Sequence, residues 1–145
     1  MYQLTTEASF DSAHFLSGYK GKCSNLHGHR WRIVVEIKQE TLSETQQLRG
    51  MVVDFGDLKS DLKALADSFD HSLIIESGSL KSATLAALKD ENFSITEVPF
   101  RPTAEEFARY FYNCMTKKGY NVSRMTVYET PNNCAAYTGE EKNNA

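Results

Sequence analysis

The sequence predicts an α+β domain with helices on one face of an antiparallel sheet. Three observations carry this: two N-terminal stretches alternate apolar and polar residues, the middle of the chain holds helical stripes, and a turn near the C-terminus joins two further strand-like runs. In the first stretch Tyr2, Leu4, Thr6, Ala8 and Phe10 alternate with Gln3, Thr5, Glu7, Ser9 and Asp11, the period of a half-buried strand, and His14 continues the apolar parity. After a polar, Gly-containing loop (Ser17 to Asn25), Trp31, Ile33, Val35 and Ile37 alternate with Arg32, Glu36 and Lys38 in a second strand, which Met51 to Val53 briefly extend.

Asp54 can then cap a helix, with Asp57 in its first turn and Phe55, Leu58, Leu62, Leu65 and Phe69 recurring at helical spacing. Leu80 to Lys89 reads as a short helix and Ile95 to Phe100 as an extended segment leading into Arg101 and Pro102. Thr103 and Glu106 form a capping box, followed by the apolar stripe Ala104, Phe107, Ala108, Phe111, Cys114 and Met115, which Gly119 can end. Met125, Val127 and Glu129 alternate with Thr126 and Tyr128 in a strand; Pro131-Asn132-Asn133 reverses it, and Cys134 to Thr138 pairs back as a hairpin.

With 145 residues, 41% of them hydrophobic, the chain fits one domain over 1–138 and a polar tail over 139–145. A net charge of -3 gives no broad basic surface for nucleic acid or anionic membrane, so a small-molecule partner is expected. No apolar run approaches the ~20 residues that span a bilayer, and Met1 to Ser9 lacks the regions of a signal peptide, so a cytoplasmic location is expected. Three irregularly spaced cysteines argue for reduced thiols.

Three of the four histidines, His14, His27 and His29, fall at the ends of two strands predicted to be neighbours. Side chains two apart in a strand share a face, so His27 and His29 can aim at one point, and Gly28 leaves the gap between them open. His14 approaches them if the strands pair antiparallel. Three imidazoles fit a zinc ion with one coordination position free for water or substrate, the pattern of a catalytic site. An H-x-H pair alone is common; the shared strand ends are what raise it above scattered surface histidines.

Cys23, four residues before His27, is expected near the metal, where a neighbouring cation or imidazole favours thiolate. As a base or nucleophile it would serve an open site; as a fourth ligand it would close it. Cys114 and Cys134 read as packed small hydrophobes. In the adjacent Asp70 and His71 a carboxylate can orient an imidazole that relays protons, although neighbours in sequence need not face each other and, taken alone, the pair reads more simply as a surface turn. Glu129 is a carboxylate on an otherwise apolar face, which needs a cation, a ligand or solvent exposure.

These residues resemble the 6-pyruvoyl-tetrahydropterin synthase superfamily, and within it the 6-carboxy-tetrahydropterin synthase branch. The likeness runs through FDSAH (Phe10 to His14), CSNLHGH (Cys23 to His29), VDFGDLK (Val53 to Lys59), FDH (Phe69 to His71), PTAE (Pro102 to Glu105) and VYET (Val127 to Thr130). It implies the tunnelling fold: a four-stranded antiparallel sheet with two main helices on one side, assembled into trimers and commonly hexamers with active sites between subunits. It also implies zinc on His14, His27 and His29, Cys23 as proton acceptor with Asp70 and His71 as its relay, and Glu129 as the pterin anchor that shares in the relay. Thr103 and Glu105 would lie near the pterin, though helix capping and first-turn charge also account for both.

The three residues between Cys23 and His27 resemble the carboxy branch. The implied reaction converts 7,8-dihydroneopterin triphosphate to 6-carboxy-tetrahydropterin with release of acetaldehyde and triphosphate, on the route to 7-deazaguanine and queuosine. Formation of the pyruvoyl product, a non-catalytic zinc module and a Cys-His hydrolase are the competing expectations. The segment from Glu76 to Arg101 departs from the family pattern and is expected to reshape the mouth of the site. No motif assigns the phosphate contacts, for which Lys20, Lys22 and Arg101 are the basic side chains nearby.

Overall fold

A computed structural model describes residues 1–141 of the chain. Nine elements follow in order: β1 (Tyr2–His14), β2 (His27–Gln39), α1 (Phe55–Asp67), β3 (Ser72–Glu76), α2 (Ser82–Asp90), β4 (Ile95–Val98), α3 (Ala104–Lys117), β5 (Val122–Thr130) and β6 (Asn133–Tyr137). The expected tail over 139–145 lies partly outside the described residues.

The sheet corrects the expected count. β1, β2, β5 and β6 form the antiparallel set read from the sequence, but β3 and β4 add two parallel strands at the β1 edge. The result is a six-stranded mixed sheet ordered β4-β3-β1-β2-β5-β6, with the short helix read over Leu80 to Lys89 present as α2 beside the two main helices. β3 (Ser72-Leu73-Ile74-Ile75-Glu76) has a contiguous apolar centre, with Ile74 and Ile75 both buried, so it shows no alternation to read. Met51 to Val53 forms no strand and belongs to the loop before α1.

The strand parity holds. β1 turns Ala8, Phe10, Ser12 and His14 inward, and β2 turns Trp31, Ile33, Val35 and Ile37 inward, onto the α1 and α3 stripes (Leu58, Leu62, Ala66; Phe107, Ala108, Phe111, Met115). Asp54 caps α1 by accepting from the Gly56 amide. Thr103 caps α3 by accepting from Glu106 N–H at 3.2 Å, while the Glu106 carboxylate turns to Arg109 instead of completing the box. α2 buries no residue and acts as the crossover that returns the chain parallel from β3 to β4.

Phe107 joins the layers: fully buried, it stacks on Phe111 at 5.7 Å and meets Trp31 edge-on at 5.1 Å. Phe107→Ala is expected to cost about 3–5 kcal/mol through the cavity it leaves. Equilibrium denaturation should show this as a lower midpoint at unchanged slope.

Candidate metal centre and its surroundings

Register builds the centre. In the β1–β2 ladder His14 lies directly opposite His27, and His29 opposite Ser12, so all three imidazoles gather at one end of the inner face. Their ring centroids are 4.5, 4.9 and 5.1 Å apart. Trp31, the next inward residue of β2, meets the His14 and His29 rings edge-on at 5.0 and 5.5 Å and floors the cluster.

Main-chain carbonyls orient two of the rings. His14 Nδ1 donates to Pro102 O at 2.8 Å and His27 Nδ1 to Asn25 O at 2.6 Å. A carbonyl can only accept, so Nδ1 carries a proton in each ring and Nε2 is the nitrogen left to face the centre. Burial lowers the His29 pKa, with the nearby His14 and His27 acting in the same sense and Glu129 opposing, so its ring is held neutral.

The fourth member is Glu129, whose parity with Met125 and Val127 brings it inward at the end of β5. Its Oε1 lies 3.1 Å from His29 Nε2 and 3.4 Å from His14 Nε2, and contact with His14 followed by the charges around it holds the carboxyl below the usual range. One ligand atom from each of His14, His27, His29 and Glu129 lies within 4.8 Å of the others. The Nε2 atoms of His14 and His29 are buried without a well-formed hydrogen bond. Imidazole nitrogens converging beside a carboxylate are the donor set of a divalent transition metal, and zinc is among the ions that fit.

Cys23 is outside this group of four but lines a cavity of about 480 Å³ together with His27, His29 and Glu129. The structure therefore places the thiol in the same cavity as members of the group, outside the four whose ligand atoms converge.

Asp70 and His71 do face each other. Asp11 N–H donates to Asp70 Oδ1 at 2.8 Å, Asp11 O accepts from His71 N–H at 2.7 Å, and His71 Nδ1 meets Asp70 Oδ2 at 2.8 Å. These three bonds hold the pair against β1, with His71 at φ 53°, a left-handed backbone uncommon for a side-chain-bearing residue. The Asp70 hydrogen bond raises the His71 pKa, and the Asp11 amide followed by His71 lowers that of Asp70. An imidazole NMR titration should place the His71 midpoint above the ordinary 6.5, and Asp70→Asn should bring it back down.

His71 does not line the Cys23 cavity. It borders a separate cleft of about 350 Å³ with Leu26 and with Leu88 and Phe93, which come from the Glu76 to Arg101 segment. That segment shapes the His71 side of the molecule. Thr103 Oγ1 is engaged in the cap, while Glu105 is exposed and makes no ion pair among the described residues. Both stand at the start of α3, beside the Pro102 carbonyl that holds His14. Sequence reasoning missed the roles of Asn25 and Pro102, which act through main-chain oxygens and leave no side-chain signature.

A profile of the 6-pyruvoyl tetrahydropterin synthase family matches residues 3–140. A Haemophilus influenzae protein named 6-carboxy-5,6,7,8-tetrahydropterin synthase is 38% identical over 140 residues, covering 94% of this chain and 99% of that one. A Rickettsia felis protein of the same name is 35% identical, covering 91% and 96%. Among solved structures, an uncharacterized protein of Wolinella succinogenes superposes with a TM-score of 0.76 at 22% identity, covering 96% and 98%. The Plasmodium vivax 6-pyruvoyltetrahydropterin synthase follows at 0.69 and 23%, covering 94% and 96%. At those identities the two structures establish a shared fold.

Proposed function

The chain belongs to the 6-pyruvoyl tetrahydropterin synthase family, and from that premise we propose that it converts 7,8-dihydroneopterin triphosphate to 6-carboxy-tetrahydropterin, releasing acetaldehyde and triphosphate, as a step toward queuosine. The observation that carries the reading is a thiol, Cys23, sharing one cavity with His27, His29 and Glu129 without belonging to the metal group. The carboxy product is preferred because the relatives at 38% and 35% identity carry that name and because Cys23 stands close before His27.

His14, His27 and His29 would hold a zinc ion, which when bound would supply Lewis-acid polarisation of the substrate side-chain oxygens and so make the neighbouring carbon-bound proton more acidic. Cys23 accepts that proton, and His71, oriented by Asp70, passes protons during isomerisation and cleavage. Trp31 keeps one side of the site dry and so strengthens the electrostatic contacts within it.

Glu129 was expected both to anchor the pterin and to share in the relay. Its position 3.1 Å from His29 Nε2 supports the relay role, and the same carboxylate is proposed to anchor the amino-pyrimidine edge. Thr103 and Glu105, at the start of α3, are proposed to lie near the pterin.

Cys23 and His71 line different cavities of one chain, which supports a homo-oligomer, built on trimers, in which the relay is completed by a neighbouring copy. Mixing inactive Cys23→Ala and His71→Ala proteins under exchange conditions should then restore part of the turnover, since some sites regain both groups. No recovery despite demonstrated exchange would place the relay within one chain. No helix among the described residues is long and apolar enough to cross a membrane.

Incubating metal-loaded protein with dihydroneopterin triphosphate tests the whole reading. Acetaldehyde and a carboxylated tetrahydropterin mass are expected; a pyruvoyl product without acetaldehyde would move the chain to the other activity, and absence of any turnover would leave a non-catalytic metal module.

A further inference from the structure

We propose that Lys22 holds the triphosphate of the substrate, an assignment that deepens the pterin-triphosphate reading and rests on it. Only two side chains lining the Cys23 cavity carry full charges, Lys22 and Glu129. Glu129 is turned to the imidazoles. A polyanion entering beside a carboxylate is repelled unless a cation meets it, and Lys22 is the cation in place.

The alternatives are engaged elsewhere. Arg101, half-buried, donates through Nη2 to the Ser17 carbonyl at 2.6 Å and so ties the β1–β2 loop to the start of α3. Arg30 and Arg32 line a neighbouring cavity that also touches His29 and Glu129, but neither lines the Cys23 cavity, and they pair with Asp11 and Glu7 at 3.1 and 2.7 Å. Lys22 makes no ion pair among the described residues, in which the paired lysines and arginines are Arg30, Arg32, Lys63, Lys89 and Arg109. Lys20 is not among the residues lining the cavity.

The backbone beneath Lys22 is fixed while its stem is not. Residues Lys22–Ser24 form a short 3-10 turn in which the Lys22 carbonyl accepts from both the amide and the side-chain Nδ2 of Asn25, each at 3.1 Å, and the Cys23 carbonyl accepts from Leu16 N–H at 2.9 Å. The ammonium thus swings on four methylenes from a Cα held next to the thiol-bearing residue. In the substrate the triphosphate hangs from the last carbon of the same short side chain whose oxygens approach the metal. Its phosphates therefore fall within one lysine length of the imidazole cluster, where an ammonium binds them as a point charge and steadies them as they depart.

The test compares metal-loaded Lys22→Gln, Lys22→Arg and unaltered protein in binding inorganic triphosphate by calorimetry, and in KM for dihydroneopterin triphosphate. Lys22→Gln should weaken inorganic triphosphate about 10-fold or more and raise KM by a similar factor. Its affinity for phosphate-free dihydroneopterin should be unchanged, and Lys22→Arg should recover most of the loss. Triphosphate binding equal to that of the unaltered protein, or an equal loss of phosphate-free pterin, would overturn the assignment, as would failure of the unaltered protein to bind triphosphate. If the unaltered protein binds triphosphate through Lys22 yet turns over no pterin triphosphate, the activity fails and the anion site stands.

Discussion

Cys23→Ala is expected to keep its full complement of metal and lose turnover by about 10²–10⁴-fold, the contribution typical of a well-placed acid or base. The separation follows from the geometry: the four ligand atoms within 4.8 Å of one another come from His14, His27, His29 and Glu129, and the sulfur is not one of them. The main-chain bond from Leu16 N–H to the Cys23 carbonyl does not depend on the side chain, so the loop should keep its path. Metal content by elemental analysis and turnover by acetaldehyde release give two readouts that a structural cysteine would not split. A variant that lost metal in proportion to activity would make the thiol a ligand, and near-normal turnover would remove it from the chemistry. Trapping of an acyl-thiol with a substrate ester would instead favour the hydrolase alternative.

Much of this site was legible in the sequence because strand parity is a local property. Alternation in β1 and β2 placed His14, His27 and His29 on one face, and antiparallel pairing, which brings the end of one strand to the start of the next, did the rest. The same parity pointed Glu129 inward, but which carboxylate meets which imidazole depends on how β5 lies along β2, information held by neither strand alone. The Asp70–His71 contact is settled by the Asp11 backbone, which is far away in the chain and offers only an amide and a carbonyl. β3 escaped for a related reason: a short parallel strand buried on both faces loses its alternation, and its partners β1 and β4 are reached through helices and loops. The helix stripes of α1 and α3 were easier, since each buries one face against a sheet and presents the other to water.

His27→Ala should lose both metal and turnover, and the loss of metal should exceed the roughly 10–100-fold cost of removing an outer-shell partner. His27 contributes a nitrogen whose tautomer is set by the Asn25 carbonyl at 2.6 Å. What remains is His14, His29 and Glu129, a set in which the carboxylate already lies beside the two imidazoles. Chelator competition on the purified variant measures the affinity directly, and His71→Ala is the matching control because its ring lies outside the group of four and should retain metal in full. A His27→Ala protein that resists chelation as the unaltered protein does would mean that the imidazoles gather for some purpose other than holding an ion, and the acid–base chemistry assigned to Cys23 would lose the polarised substrate it requires.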